Sequence, residues 1–205
     1  MGVPSVKAWI AAFLLTGALA GQPSIAPVPP AGGPVRVRLD TSLGAIVVEV
    51  DGARAPVTAA NFLRYVARGD YDGGRFHRTV RATNQPGKTV LIDVVQAGPD
   101  PASLHPELPA ITLERTSVTG LRHLDGALSM ARDGPDTATS DFFICVGDQP
   151  ELDFGGRRNP DGQGFAAFGR VVSGMDVVRR IHAAAADGQS LTPPVAIRRA
   201  RPAGH

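Results

Sequence analysis

Cysteine is almost absent from the 205-residue chain: Cys145 is the only one, so no disulfide can form within the molecule. Its setting, "FFICVG", is that of a buried strand and not the cationic, accessible setting of a reactive thiol. Lysine is nearly as scarce. Lys7 and Lys88 are the only two, so the pI of 9.1 comes from arginine, and the net charge is only +2. No dense basic run interleaved with aromatics occurs, which argues against nucleic acid as a partner. Aromatic residues make up 5% of the chain, and its one tryptophan is Trp9. The histidines at 77, 105, 123, 182 and 205 lack close metal-ligand spacing, and neither "GGPVR" nor "GDQPELDFGG" has the strand-to-helix context of a phosphate loop. No metal or cofactor is expected.

Long hydrophobic runs are missing too, with one short exception. Lys7 precedes "AWIAAFLLTGALA", thirteen uncharged and mostly apolar residues ending in Ala18-Leu19-Ala20. Residues 1–20 therefore read as a secretory signal peptide with an A-x-A cleavage site, too short for a comfortable membrane span. The expectation is export, to the periplasm, with no stable membrane insertion after cleavage; an uncleaved anchor is the competing reading. Residues 21–34, "GQPSIAPVPPAGGP", carry no charge and read as an extended tether.

What is present suits one globular domain, with 43% apolar residues for a core. "VRVRLD" at 35–40 and "AIVVEV" at 45–50 alternate with period two about a turn, as a hairpin does. A helix is expected from Pro56 to Gly69 and another over about 174–184. "TVLIDVVQ", "GALSMA", "DFFICVG" and "FAAFGRVV" read as further short strands. Two helices and about eight strands suggest a mainly β fold, an antiparallel barrel capped by helices. The domain is expected over 35–197, with a basic tail at 198–205.

One stretch resists the bland reading. In "YDGGRFHRTVR" (71–81), regular alternation puts Arg75, His77, Thr79 and Arg81 on a face that can be wet, but leaves Arg78 with Phe76 and Val80. An arginine among apolar neighbours needs partners or a purpose.

The motifs around it occur in the order seen in cyclophilins. "APVTAANF" (55–62), "YDG" (71–73), "FHR" (76–78), "QAG" (96–98), "GALSMAR" (126–132), "ATSDFFI" (138–144), "LDF" (152–154) and "FAAFGRVVSGMDVV" (165–178) all take part. In detail the chain resembles the exported bacterial type. The resemblance implies a closed eight-stranded antiparallel barrel capped by two α-helices, and peptidyl-prolyl cis/trans isomerisation without cofactor or metal. It implies Arg78 as the catalytic group and Gln96 as its polar partner. Phe143 and Leu152 would wall the proline pocket, with Met130 and Ala131 on the strand that binds residues preceding proline. Expected partners are proline-containing segments of unfolded or exported proteins, handled by a monomer. A proline-peptide binding module with little turnover, on the same fold, stays open.

Departures from the family pattern bear on the pocket. "TVRATNQPGKTVLIDVV" (79–95) is longer than the family's short turn, so Val94 or Ile92 must supply an aromatic's surface. Phe165 stands at the usual histidine, Asp141 at the usual glutamine, and Arg132 at the usual asparagine. By alternation Asp141 shares a face with Phe143, which predicts its carboxylate beside Arg78, with Arg132 competing for it.

Overall fold

The strand Val35–Thr41 (β1) buries Val37, Leu39 and Thr41 and leaves Arg36 and Arg38 in water, as its period-two pattern requires. A turn at Ser42-Leu43 returns the chain as Gly44–Val50 (β2), with Ile46, Val48 and Val50 buried. The computed structural model describes residues 34–103 and 105–203. The expected signal peptide and, apart from Pro34, the tether lie outside the described residues. Pro56–Arg68 (α1) comes next, with proline in its first turn and Gly69 closing it at φ 75°. Its leading N–H groups are capped from afar: Glu114 accepts hydrogen bonds from Val57 N, Thr58 N and Thr58 Oγ1 at 3.0, 2.8 and 2.6 Å.

The remaining elements are Arg75–Val80 (β3), Val94–Gly98 (β4), the one-turn Thr116–Thr119 (α2), Ala127–Met130 (β5), Phe142–Cys145 (β6), Ala167–Ser173 (β7), Met175–Ala183 (α3), Ala186–Asp187 (β8) and Ser190–Pro202 (β9). They hydrogen-bond in the order β1-β2-β7-β5-β6-β4-β3-β9, and β9 pairs back onto β1. All pairings are antiparallel, so eight strands close a barrel, with β8 a short flap on β9. Both expected helices, α1 and α3, form; α2 is an additional single turn. Among the described residues no helix is long and apolar enough to cross a membrane.

Strand alternation divides the apolar residues into two layers. Leu128, Met130, Val95, Ala97, Phe142 and Ile144 belong to the barrel's own core. Val94, Ala127, Phe143 and Cys145 point the other way and form a second cluster with Val80, Ile92 and Leu152. The few aromatics are pooled: Phe62 of α1 meets Tyr71, Phe142 and Phe168 at 5.3–5.4 Å between ring centres, edge-on in the case of Phe142.

Two expected boundaries move. "TVLIDVVQ" is strand only from Val94, because residues before it are held by Gln85, whose amide donates to Arg81 O and Ile92 O at 2.9 and 2.8 Å. The domain does not end at 197. Residues 198–202 continue β9 against β1, with Ala200 fully buried and Arg201 paired to Asp72; the basic composition hides a strand whose arginines face outward.

Candidate active site

A bulge creates the site. Phe76 pairs with Ala97 across β3 and β4, but the next pair is Arg78 with Gln96, so His77 is an extra residue. The parity of the strand is reversed there. Phe76 points into the barrel core, while Arg78 and Val80 emerge on the outer layer. The regular alternation that grouped Arg78 with Phe76 is corrected by this one residue. Gln96 in turn pairs with Phe143 of β6, so Arg78, Gln96 and Phe143 lie in a row across three strands.

The guanidinium of Arg78 is held on two sides. Nη1 donates to Gln96 Oε1 at 2.9 Å, while Nε and Nη2 both donate to Gln189 Oε1, at 2.9 and 2.6 Å. Among the described residues three of its five N–H donors are thus engaged and two are not. Burial pushes its pKa below the ordinary arginine value, but arginine remains a cation. Gln189 lies in the turn between β8 and β9, and its amide donates to Asn84 O at 3.1 Å. Nothing local in "DGQS" marks Gln189, which is 111 residues from its partner.

Asp141 is on the expected face but not against Arg78. Gln96 stands between them: its Nε2 donates to Asp141 Oδ2 at 2.9 Å, and His77 Nε2 meets the same oxygen at 3.0 Å. A carboxylate can only accept, so Asp141 fixes the Gln96 amide with its oxygen toward Arg78. Gly98 makes room for this, since a Cβ there would lie 2.0 Å from Asp141 Oδ1. The expected competition from Arg132 is also corrected. Arg132 is committed to Asp161, at 2.8 and 3.0 Å, and to Gly164 O, and it packs over the Phe165 ring.

Beside Arg78 opens a cleft of about 510 Å³. Val94, Ile92, Ala131, Phe143, Leu152 and Phe165 supply apolar lining, with Gln96 and Asp141 on the same cleft. Phe143 and Phe165 meet edge to face at 5.3 Å. Of the expected site residues only Met130 is elsewhere: alternation along β5 turns its side chain into the barrel core, 1% exposed, while Ala131 lines the cleft.

Behind Phe143, the His123 ring stacks at 5.9 Å, its Nδ1 2.7 Å from Asp153 Oδ1 and its Nε2 2.9 Å from Ser129 Oγ. This is the order of a nucleophilic triad, but His123 is 1% and Ser129 0% exposed, so no substrate carbonyl reaches the hydroxyl. The trio backs the aromatic wall instead. Burial alone would raise the Asp153 pKa; the hydrogen bond and charge of His123 outweigh it and hold the carboxyl below its usual range. Cys145 is fully buried, and desolvation pushes its thiol pKa well up, which removes it as a nucleophile.

Lys88 and Arg158 also line the cleft, and neither is evident from sequence, where both lie in turn-like stretches. Arg158 Nη1 donates to Gln85 Oε1 and Val90 O at 2.8 and 2.7 Å. The whole is an apolar well with a half-buried cation at its edge and neither serine nor cysteine among the lining residues. Such a site can stabilise a lone pair or partial negative charge without forming a bond.

Residues 36–201 match the family model "Cyclophilin type peptidyl-prolyl cis-trans isomerase/CLD". Peptidyl-prolyl cis-trans isomerase cyp18 of Streptomyces antibioticus is 37% identical over 146 residues, 71% of this chain and 81% of that protein. Peptidyl-prolyl cis-trans isomerase B of Escherichia coli is 33% identical over 146 residues, 71% of this chain and 82% of that protein. Among solved structures, a Cryptosporidium parvum cyclophilin-type isomerase superposes with a TM-score of 0.68 at 20% identity, over 84% of this chain and 99% of that one.

Proposed function

Because this chain belongs to the cyclophilin-type peptidyl-prolyl cis-trans isomerases and has that enzyme activity, we propose that Arg78 is the group that lowers its rotational barrier. Rotation about an X-Pro amide is slow because the nitrogen lone pair is delocalised into the carbonyl, and a peptide bond resists twisting by about 18–20 kcal/mol. Twisting returns the lone pair to the prolyl nitrogen. A donor aimed there binds the twisted amide better than either planar form, which is what acceleration requires. The observation that carries the reading is a guanidinium clamped by Gln96 and Gln189 beside an apolar well, with two N–H donors unengaged among the described residues.

In this reading the proline ring occupies the well against Phe143, Leu152, Phe165, Val94 and Ile92. Residues preceding proline pass Ala131, with the peptide backbone of Met130 and not its side chain on their path. Addition of a prolyl peptide should shift the amide resonances of Val94, Ala131, Phe143 and Leu152 in an NMR titration. Shifts confined to another face of the barrel would refute the placement.

Asp141 acts through Gln96 by keeping its carbonyl on Arg78. Asp141→Asn can donate as well as accept and frees the amide to turn over, and Gly98→Ala pushes the carboxylate aside. Each should lower kcat/KM about three- to tenfold, roughly 0.7–1.4 kcal/mol of transition-state stabilisation. This is the reverse of the effect of a carboxylate that neutralises Arg78, whose removal would raise the rate.

The physiological substrates in this reading are proline-containing segments of unfolded exported proteins, handled by a monomer outside the cytoplasm, where uncatalysed X-Pro exchange takes tens to hundreds of seconds. Support comes from Lys7, the apolar run and the Ala18-Leu19-Ala20 boundary. N-terminal sequencing of the protein recovered from the exported fraction should begin near Gly21. Intact Met1 protein in membranes would identify an anchor.

A further inference from the structure

The end of the cleft formed by Lys88 and Arg158 is built differently from the rest of the surface around it. Arg157 pairs with Glu151 at 2.9 Å and Arg132 with Asp161 at 2.8 Å, so the loop and strand next to Arg158 carry their own carboxylates. Among the described residues Arg78, Lys88 and Arg158 take part in no ion pair. Arg158 is partly buried, and its two side-chain hydrogen bonds both leave from Nη1 to neutral acceptors, Gln85 Oε1 and Val90 O. Its Nε and Nη2 donate to nothing among the described residues. Burial, and after it the charge of Arg78, pushes its pKa down. Three cations therefore line one cleft without an ion-pair partner among the described residues, two of them partly buried. Partial burial of the two guanidinium groups costs free energy that an incoming anion returns in part.

The charges of the cleft differ in origin and pairing. Asp133, Asp141 and Arg132, the last paired with Asp161, line it along with Gln96 and Ala131, whereas Lys88 and Arg158 come from the 85–92 and 157–162 loops with Ile92. We propose that Lys88 and Arg158 form a subsite for a carboxylate on the residue immediately C-terminal to proline, making this isomerase selective for prolyl segments with Asp or Glu at that position. The inference rests on the placement of preceding residues past Ala131, which leaves the cationic end to the C-terminal side of the peptide. Arg158 is suited to the task because two of its nitrogens are unengaged and the other is anchored, so little side-chain freedom is lost on binding.

The test is exchange NMR on the full chain with the peptides Ala-Ala-Pro-Glu-Ala and Ala-Ala-Pro-Gln-Ala, and with Ala-Glu-Pro-Gln-Ala as the control for side. Glutamate after proline should raise kcat/KM roughly three- to tenfold over glutamine, and the advantage should shrink with added salt. Glutamate before proline should give no advantage. In Lys88→Gln and Arg158→Gln the ratio of the two efficiencies should fall below about twofold. Lys88 is exposed and makes no side-chain hydrogen bond among the described residues, so its variant keeps the test valid if loss of Arg158 unfolds the loop. Equal efficiency for the first two peptides, an equal advantage for the third, or a preference that survives both substitutions would overturn the subsite. Failure to isomerise any peptide would instead overturn the reading of the cleft, and the subsite with it.

Discussion

Arg78→Ala is expected to lower kcat/KM about 10–1000-fold, a loss of roughly 1.4–4 kcal/mol of transition-state stabilisation, in a protein that remains folded. On the proposed role of Arg78 the rate falls because the donor to the prolyl nitrogen is removed. Arg158 Nη1 is held by Gln85 and Val90, and Gln96 offers its oxygen. The fold survives because Arg78 is on the outer layer, while the barrel's own core contains Phe76, Leu128, Phe142 and their neighbours. Arg78→Lys should also be impaired, since one ammonium cannot satisfy Gln96 on one side and Gln189 on the other while still reaching substrate. Exchange NMR on a prolyl peptide gives the rate and a thermal melt checks folding. A folded Arg78→Ala protein with undiminished activity would remove Arg78 from the mechanism.

Gln189→Leu should cost about 5–30-fold, chiefly in kcat, the equivalent of roughly 1–2 kcal/mol. Gln189 accepts two of the three hydrogen bonds that aim the guanidinium, so without it Arg78 turns about the single remaining contact to Gln96. Leucine keeps much of the volume and removes the acceptor. Apolar contacts of the proline ring with Phe143 and Leu152 are untouched, so KM should change less than kcat, as expected when an interaction is made mainly in the transition state. Equal losses in kcat and 1/KM across several peptides would show instead that Gln189 shapes binding. An unchanged kcat would show that the strand alone aims Arg78.

The outer and inner faces of most strands can be read directly from sequence, because Val37/Leu39, Ile46/Val48 and Phe142/Phe143 obey a strict period of two. Arg78 is singled out by the same rule, yet for a reason the structure changes. One extra residue, His77, puts it outside the barrel, and bulges leave no reliable mark on hydropathy. Met130 is the converse, a regular strand residue whose parity with Leu128 places it inside once the strand is known. Asp141 can be assigned to a face but not to a partner, because Gln96 intervenes only in three dimensions. Gln189 and Arg158 come from loops whose neighbours are set by the folded barrel, so spacing along the chain carries no trace of them. Residues 198–205 read as a basic tail because Arg198, Arg199 and Arg201 outweigh Ala200 in composition, though Ala200 is the residue that β9 buries.

The pairing of β9 with β1 fixes when the enzyme can exist during its own synthesis. Val37 pairs with Pro202 and Leu39 with Ala200, so the first strand of the domain waits for residues more than 160 positions later before both its edges are covered. Until then β1 and β3 present bare backbone donors and acceptors, because β9 is the strand that joins them. Gln189 arrives just ahead of that strand, so Arg78 is untethered on one side for nearly the same interval. A nascent chain that stops short of Gln189 and β9 has most of its hydrophobic surface but no closed cylinder and no aimed guanidinium. Long-range closure of this kind is slow relative to local pairing. Barrel closure and the clamping of Arg78 are therefore one event, and it waits for the synthesis of β9.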